Sequence, residues 1–185
     1  MLALRPVLFS LCLLVGCAKA PDPALFAPAP QNVATAPAPT SVNLDVPENW
    51  VAIEIDQPFY LGKWDLPNGG RATISFLGAN FDAESISMNF DRWLRQWEVP
   101  GSTAEDARNI GVYDVNGVGM YQLVLQGTLN STAQVGGGDP RENWMLIGGV
   151  MINDFGPVYL KVVGPSADLE SQADAIFVSF ATATF

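Results

Sequence analysis

Histidine is absent from the 185 residues, and cysteine occurs only twice, at Cys12 and Cys17. Without imidazole there is no Ser–His–Asp triad, no Cys–His pair and no histidine ligand for zinc, copper or haem. Cations are scarce too: nine Lys and Arg stand against 19 Asp and Glu, a net charge of −10. Phosphate backbones repel such a chain, which argues against nucleic acid as a partner, and anionic lipid does not hold it by charge either. A long apolar run is also missing. The stretch from Pro6 to Ala18 falls short of the roughly 20 residues that a membrane-spanning helix needs.

That short run follows Met1-Leu-Ala-Leu-Arg5, one cation and no acid, which is the arrangement of an export signal. Ala18-Lys19-Ala20 has the small-x-small form that an ordinary signal peptidase reads, but Pro21 would follow the cut, and its ring and missing N–H suit a protease poorly. Leu14-Val15-Gly16-Cys17 resembles a bacterial lipobox. That resemblance implies removal of residues 1–16, a diacylglycerol on the Cys17 thiol and often a third chain on the freed amine. Cys12 then leaves with the signal and Cys17 is acylated, so no thiol remains for a disulfide, a metal or a nucleophile. Loss of Arg5 takes the net charge to about −11. Long acyl chains anchor stably at about 0.8 kcal/mol per buried CH₂, so the expected membrane contact is the lipid on Cys17. Ala18 and Lys19 put no aspartate after the cysteine, which in enterobacteria-like sorting implies the periplasmic face of the outer membrane.

Residues 17–41 form the anchor and a tether. Six prolines and many alanines between Lys19 and Ser41 cannot build a core and favour an extended polyproline spacer, roughly 70 Å long when fully drawn out. Residues 42–185 are long enough for a single domain with a proper core. Runs rich in Val, Ile and aromatics predict strands at Trp50–Ile55, Phe59–Leu66, Arg71–Leu77, Ile110–Val115, Val118–Leu125, Trp144–Ile152 and Val158–Val163. Asn68-Gly69-Gly70 and Asn116-Gly117 tolerate positive φ and mark reversals between them. From Ser85 to Trp97, helical spacing gathers Ile86, Phe90, Trp93 and Trp97 on one face, with Leu94 beside them. A closing helix opens at Pro165-Ser166, where the serine hydroxyl is placed to cap the first turn, and carries Leu169, Ala173, Ile176, Phe177 and Phe180 as its stripe. Three strands, a helix, four strands and a helix joined by short turns predict an α+β fold with an antiparallel sheet of about six to seven strands.

Three stretches together resemble PsbP-like domains, whose fold is shared with the Mog nuclear-import factors. "LDVPENWV" (44–51) is similar to their Pro-x-x-Trp lead into the first strand. "SMNFDRWLRQWEVPG" (87–101) is similar to an Asn-x-x-Arg-Trp-x-x-Gln helix in bacterial lipoproteins of that superfamily, with Asn89, Arg92, Trp93 and Gln96 in those places. "YLKVVGPSADLESQADAIFVSF" (159–180) resembles their last strand, Gly-Pro step and helix. The resemblance implies an α/β/α sandwich. It implies no single activity, since members bind a small GTPase, dock on photosystem II or have no known role.

The residues themselves offer no catalytic, cofactor-binding or metal-binding set. Lys161 alternates with Leu160 and Val162 and is expected to point to solvent. The acid pairs Asp82 with Glu84, Glu105 with Asp106 and Asp139 with Glu142 lack the regular oxygen spacing of a calcium loop. "QVGGGDPREN" (134–143) lacks the Gly-Lys-Ser/Thr end of a phosphate loop and reads as a hairpin connection. At least three of the five tryptophans are expected in the core. Arg92, Arg95 and Gln96, opposite the apolar face of their helix, with Asp139 and Arg141, are the candidate contact residues. The expected function is a non-enzymatic, membrane-anchored envelope lipoprotein that binds another envelope protein and needs no cofactor. The rival is a small-ligand binder or carboxylate-dependent hydrolase with a cleft near Trp93, Asp139 and Arg141.

Overall fold

The computed structural model describes residues 36–79, 83–99, 110–115 and 118–185. Three strands come first, β1 (Val51–Ala52), β2 (Tyr60–Asp65) and β3 (Arg71–Phe76), followed by helix α1 (Ala83–Leu94). The strands β4 (Trp97–Glu98), β5 (Ile110–Val115), β6 (Val118–Leu129), β7 (Arg141–Asn153) and β8 (Gly156–Pro165) come next. Helices α2 (Ser166–Leu169) and α3 (Ala173–Ala181) follow, joined by a 3₁₀ turn. All pairings are antiparallel, in the order β1-β2-β3-β8-β7-β6, with β5 and β4 sharing the outer edge of β6. The architecture is α+β, as the sequence predicts, with one more strand than expected.

The extra strand comes from an early end to α1. The predicted helix runs to Trp97, but α1 stops at Leu94 and Trp97 pairs with Leu129. The Gln96 carbonyl accepts the Asn130 N–H at 2.8 Å, so the chain leaves the helix to satisfy the sheet edge. The closing helix departs from its expected start in another way. Pro165 occupies the N-cap, and the buried Ser166 hydroxyl has no hydrogen-bond partner, so it caps nothing.

Alternation along β8 divides the core in two. Leu160 and Val162 lie with Ile74, Ile147, Ile176 and Phe180 on the side of α3. Tyr159 and Val163 lie with Phe90, Trp93, Leu146 and Val150 on the side of α1. The sheet is therefore sandwiched between helices, and all five tryptophans are buried. Gly148 and Gly149 sit back to back in the centre of β7. A Cβ on Gly148 would stand 2.7 Å from the Trp93 ring, and one on Gly149 would stand 3.2 Å from Phe180. Two side-chain-free positions in succession let an aromatic from each helix lie down on the strand.

α1 packs over β6, β7 and β8, and the same face of β3 remains open. There Arg71, Thr73 and Ser75 are half-buried, alternating with buried Ala72 and Ile74 on the other side. The molecule thus has a seam where a helix-covered sheet meets an open, polar one.

Candidate functional site

The sheet register brings the chain's scarce cations to this seam. Lys63 pairs with Thr73, Thr73 with Lys161, and Lys161 with Gly148, one row across four strands. Lys161 does not point to solvent. Its run, Val158-Tyr-Leu-Lys-Val-Val163, is continuous rather than alternating, the pattern of a strand covered on both faces, and Lys161 is only 5 % exposed. Its Nζ donates to Gln96 Oε1 at 2.6 Å and to Gln134 Oε1 at 2.7 Å, and sits 5.7 Å from the centre of the Trp93 ring. Burial first, and the Arg92 charge second, lower its pKa from 10.5 to about 7. Gly148 is what makes room for Trp93 beside it.

Chemically this is a clamp. One side-chain nitrogen ties the end of α1, through Gln96, and the β6–β7 connection, through Gln134, to a central strand. Both partners are amide oxygens, which accept hydrogen bonds without contributing a countercharge. Further along the row, Lys63 is buried against Asp56 at 2.6 Å, and this hydrogen bond lowers the Asp56 pKa below 3.8. Arg71 pairs with Asp65 at 2.7 Å.

Beyond Tyr159, α1 and the β3 end of the sheet enclose a groove of about 380 Å³. Asn89 and Arg92 line it from α1, Arg95 from the turn that follows the helix, and Tyr159 and Pro157 from β8. Arg92 Nη2 donates to Asn89 Oδ1. Asn89 is 7 % exposed, and its Nδ2 has no acceptor. Among the described residues the ion pairs are Lys63–Asp56 and Arg71–Asp65, so neither Arg92 nor Arg95 has a carboxylate partner there.

The candidate residues are distributed as follows. Arg92 and Arg95 are exposed, as expected of that helix face, whereas Gln96 turns inward to Lys161. Asp139, Arg141 and Glu142 are exposed at the β6–β7 connection, and the Arg141 guanidinium stacks 5.8 Å over Trp144 rather than beside Trp93. From that connection it is Gln134 that reaches the seam. Sequence reasoning missed both Lys161 and Gln134. The unbroken apolar run around Lys161 was the available signal for the first, and nothing local marks Gln134. The loop itself behaves as a hairpin connection, with Gly136, Gly137 and Gly138 all at positive φ and Thr132 Oγ1 donating to the Gly138 carbonyl at 2.8 Å. Cys17, Asp82, Glu105, Asp106, Asn116 and Gly117 lie outside the described residues. Among the described residues no cluster of three or more carboxylates could hold a metal, and no helix is long and apolar enough to cross a membrane.

No protein-family model and no curated protein sequence matches the chain. A solved structure does: the solution structure of cyanobacterial PsbP (CyanoP) from Synechocystis sp. PCC 6803 superposes with a TM-score of 0.50. The fold is PsbP-like. The match covers 80% of this chain and 94% of that one, at 10% identity, which relates the two in fold alone. It agrees with the fold that the three resembling stretches imply. The groove and the Lys161 clamp are thus features of a PsbP-like domain, set by this chain's own residues.

Proposed function

We propose that the chain is a lipid-anchored protein of the bacterial envelope whose PsbP-like domain binds another envelope protein without catalysing a reaction. The lipobox-like Leu14-Val15-Gly16-Cys17 and the proline-rich stretch after it support anchoring on a long tether at the periplasmic face of the outer membrane. The observation that carries the binding role is charge placement. In a chain with nine cations against 19 acids, Arg92 and Arg95 stand exposed together beside a groove, with no carboxylate partner among the described residues. A solvated surface needs no such gathering, whereas an acidic partner approaching an otherwise acidic protein does.

The test has two parts in the living cell. An alkyne fatty acid should label the wild-type chain and not Cys17→Ser. Cross-linking followed by mass spectrometry should then recover one dominant partner, weakened or lost in Cys17→Ser. Turnover of a defined substrate by the purified protein, abolished by one carboxylate substitution, would overturn the reading in favour of an enzyme.

A further inference from the structure

We infer that the groove between α1 and β8 is a carboxylate site that accepts an acidic side chain flanked by an apolar one, on an extended segment of a partner protein. The inference rests on the binding role proposed above and gives it a chemistry. Two exposed arginines line the groove with no carboxylate partner among the described residues, and the Asn89 amide lies beside them. Among the described residues Arg95 has no ion pair, Arg92 donates to the amide oxygen of Asn89, and the buried Asn89 Nδ2 has no hydrogen-bond partner. A carboxylate entering the groove would give the two guanidinium groups the charged acceptor they lack among the described residues. Arg92 lies in the last turn of α1 and Arg95 just past its end, three positions on, both bordering the same groove. The acids of α1, Glu84 and Asp91, do not line the groove.

The rim says what accompanies the charge. Leu77 is 48 % exposed and Met88 57 % exposed, both lining the groove beside the arginines. Methionine is an adaptable surface for an apolar side chain. At about 380 Å³ the groove suits one or two side chains rather than a whole domain surface. An anion that arrives with an apolar neighbour on a flexible backbone fits it better than a bare inorganic ion.

The test is a titration of the full mature chain, carried as Cys17→Ser, followed by NMR of the arginine Nε–H and asparagine Nδ2–H₂ signals. The probes are acetyl-Leu-Glu-Leu-amide, the same peptide with Gln in place of Glu, and glycerol phosphate. The glutamate peptide should move the Arg92, Arg95 and Asn89 side-chain signals and bind about tenfold or more tighter than the glutamine peptide. Arg95→Gln, an exposed position, should weaken binding about tenfold while the melting temperature stays put. Equal binding of the two peptides, shifts elsewhere on the domain, or no shifts at all would overturn the assignment. So would glycerol phosphate moving the same signals at lower concentration, which would make this a phosphate site. A cellular partner whose capture survives Arg95→Gln would sink the groove and spare the binding role. Peptide binding with no partner in the cell would do the reverse.

Discussion

Replacing Lys161 by methionine removes a titratable amine from one of the most buried polar positions among the described residues. The ordinary lysine pKa is 10.5, and burial, reinforced by Arg92, holds this one at about 7. Between those values the unfolded chain carries a proton on Lys161 that the folded chain has largely shed. Stability therefore rises with pH across that window, is flat above it, and pays the full burial penalty below about pH 7. Each unit of pH is worth about 1.4 kcal/mol for one proton, so the shift corresponds to about 5 kcal/mol in all, of which about 2 kcal/mol should appear between pH 7 and pH 9. Lys161→Met abolishes that slope. Its lost bonds to Gln96 and Gln134 cost a pH-independent amount, because both glutamines can turn to water. The assay is urea unfolding followed by tryptophan fluorescence at pH 7, 8 and 9. The stability of the wild type relative to Lys161→Met should climb by about 2 kcal/mol across the series. Parallel curves would refute the reasoning, because they would mean that the amide oxygens and the Trp93 ring keep the ammonium charged inside the fold.

Other outcomes follow from the same geometry. Gly148→Ala places a Cβ 2.7 Å from Trp93, and should cost about 1–3 kcal/mol in denaturant unfolding while lifting the helix off Lys161. Gly136→Ala meets nothing within 4 Å but sits at φ 90°, so its smaller loss, about 1 kcal/mol, measures backbone strain alone. Asp56 keeps its charge below its usual pKa of 3.8 because of Lys63, so its contribution is present above that pH and fades as the carboxylate protonates. A carboxyl NMR titration should place its midpoint below 3.8, and Lys63→Met should bring it back up.

Much of the domain was legible from short-range signals. Strands from Tyr60 to Phe76 and the strand at Ile110–Val115 follow from β-branched and aromatic runs bounded by turn residues. The apolar face of α1 follows from its 3.6-residue spacing, and Ile86, Phe90 and Trp93 are buried as that spacing requires. What failed was whatever depended on a partner far along the chain. Trp97 reads as helical until its pairing with Leu129 is known, and Gln96 reads as solvent-facing until Lys161 lies beneath it. Lys161 reads as solvent-facing only while its strand is taken to alternate, and β8 is covered on both faces. Arg92 and Arg95 were visible as an exposed pair, but the groove they line is made with Leu77 and Tyr159, which only the β3–β8 pairing brings alongside.

The central claim is that the domain meets its partner across the α1 face. The most direct measurement is site-specific photo-cross-linking in living cells, with benzoylphenylalanine at Met88 in one strain and at Asp174 in another. Met88 is an exposed groove residue and Asp174 an exposed position on α3, across the sheet. One dominant adduct from position 88 and none from position 174 is the predicted result. The same adduct from both positions, or from 174 alone, would contradict it.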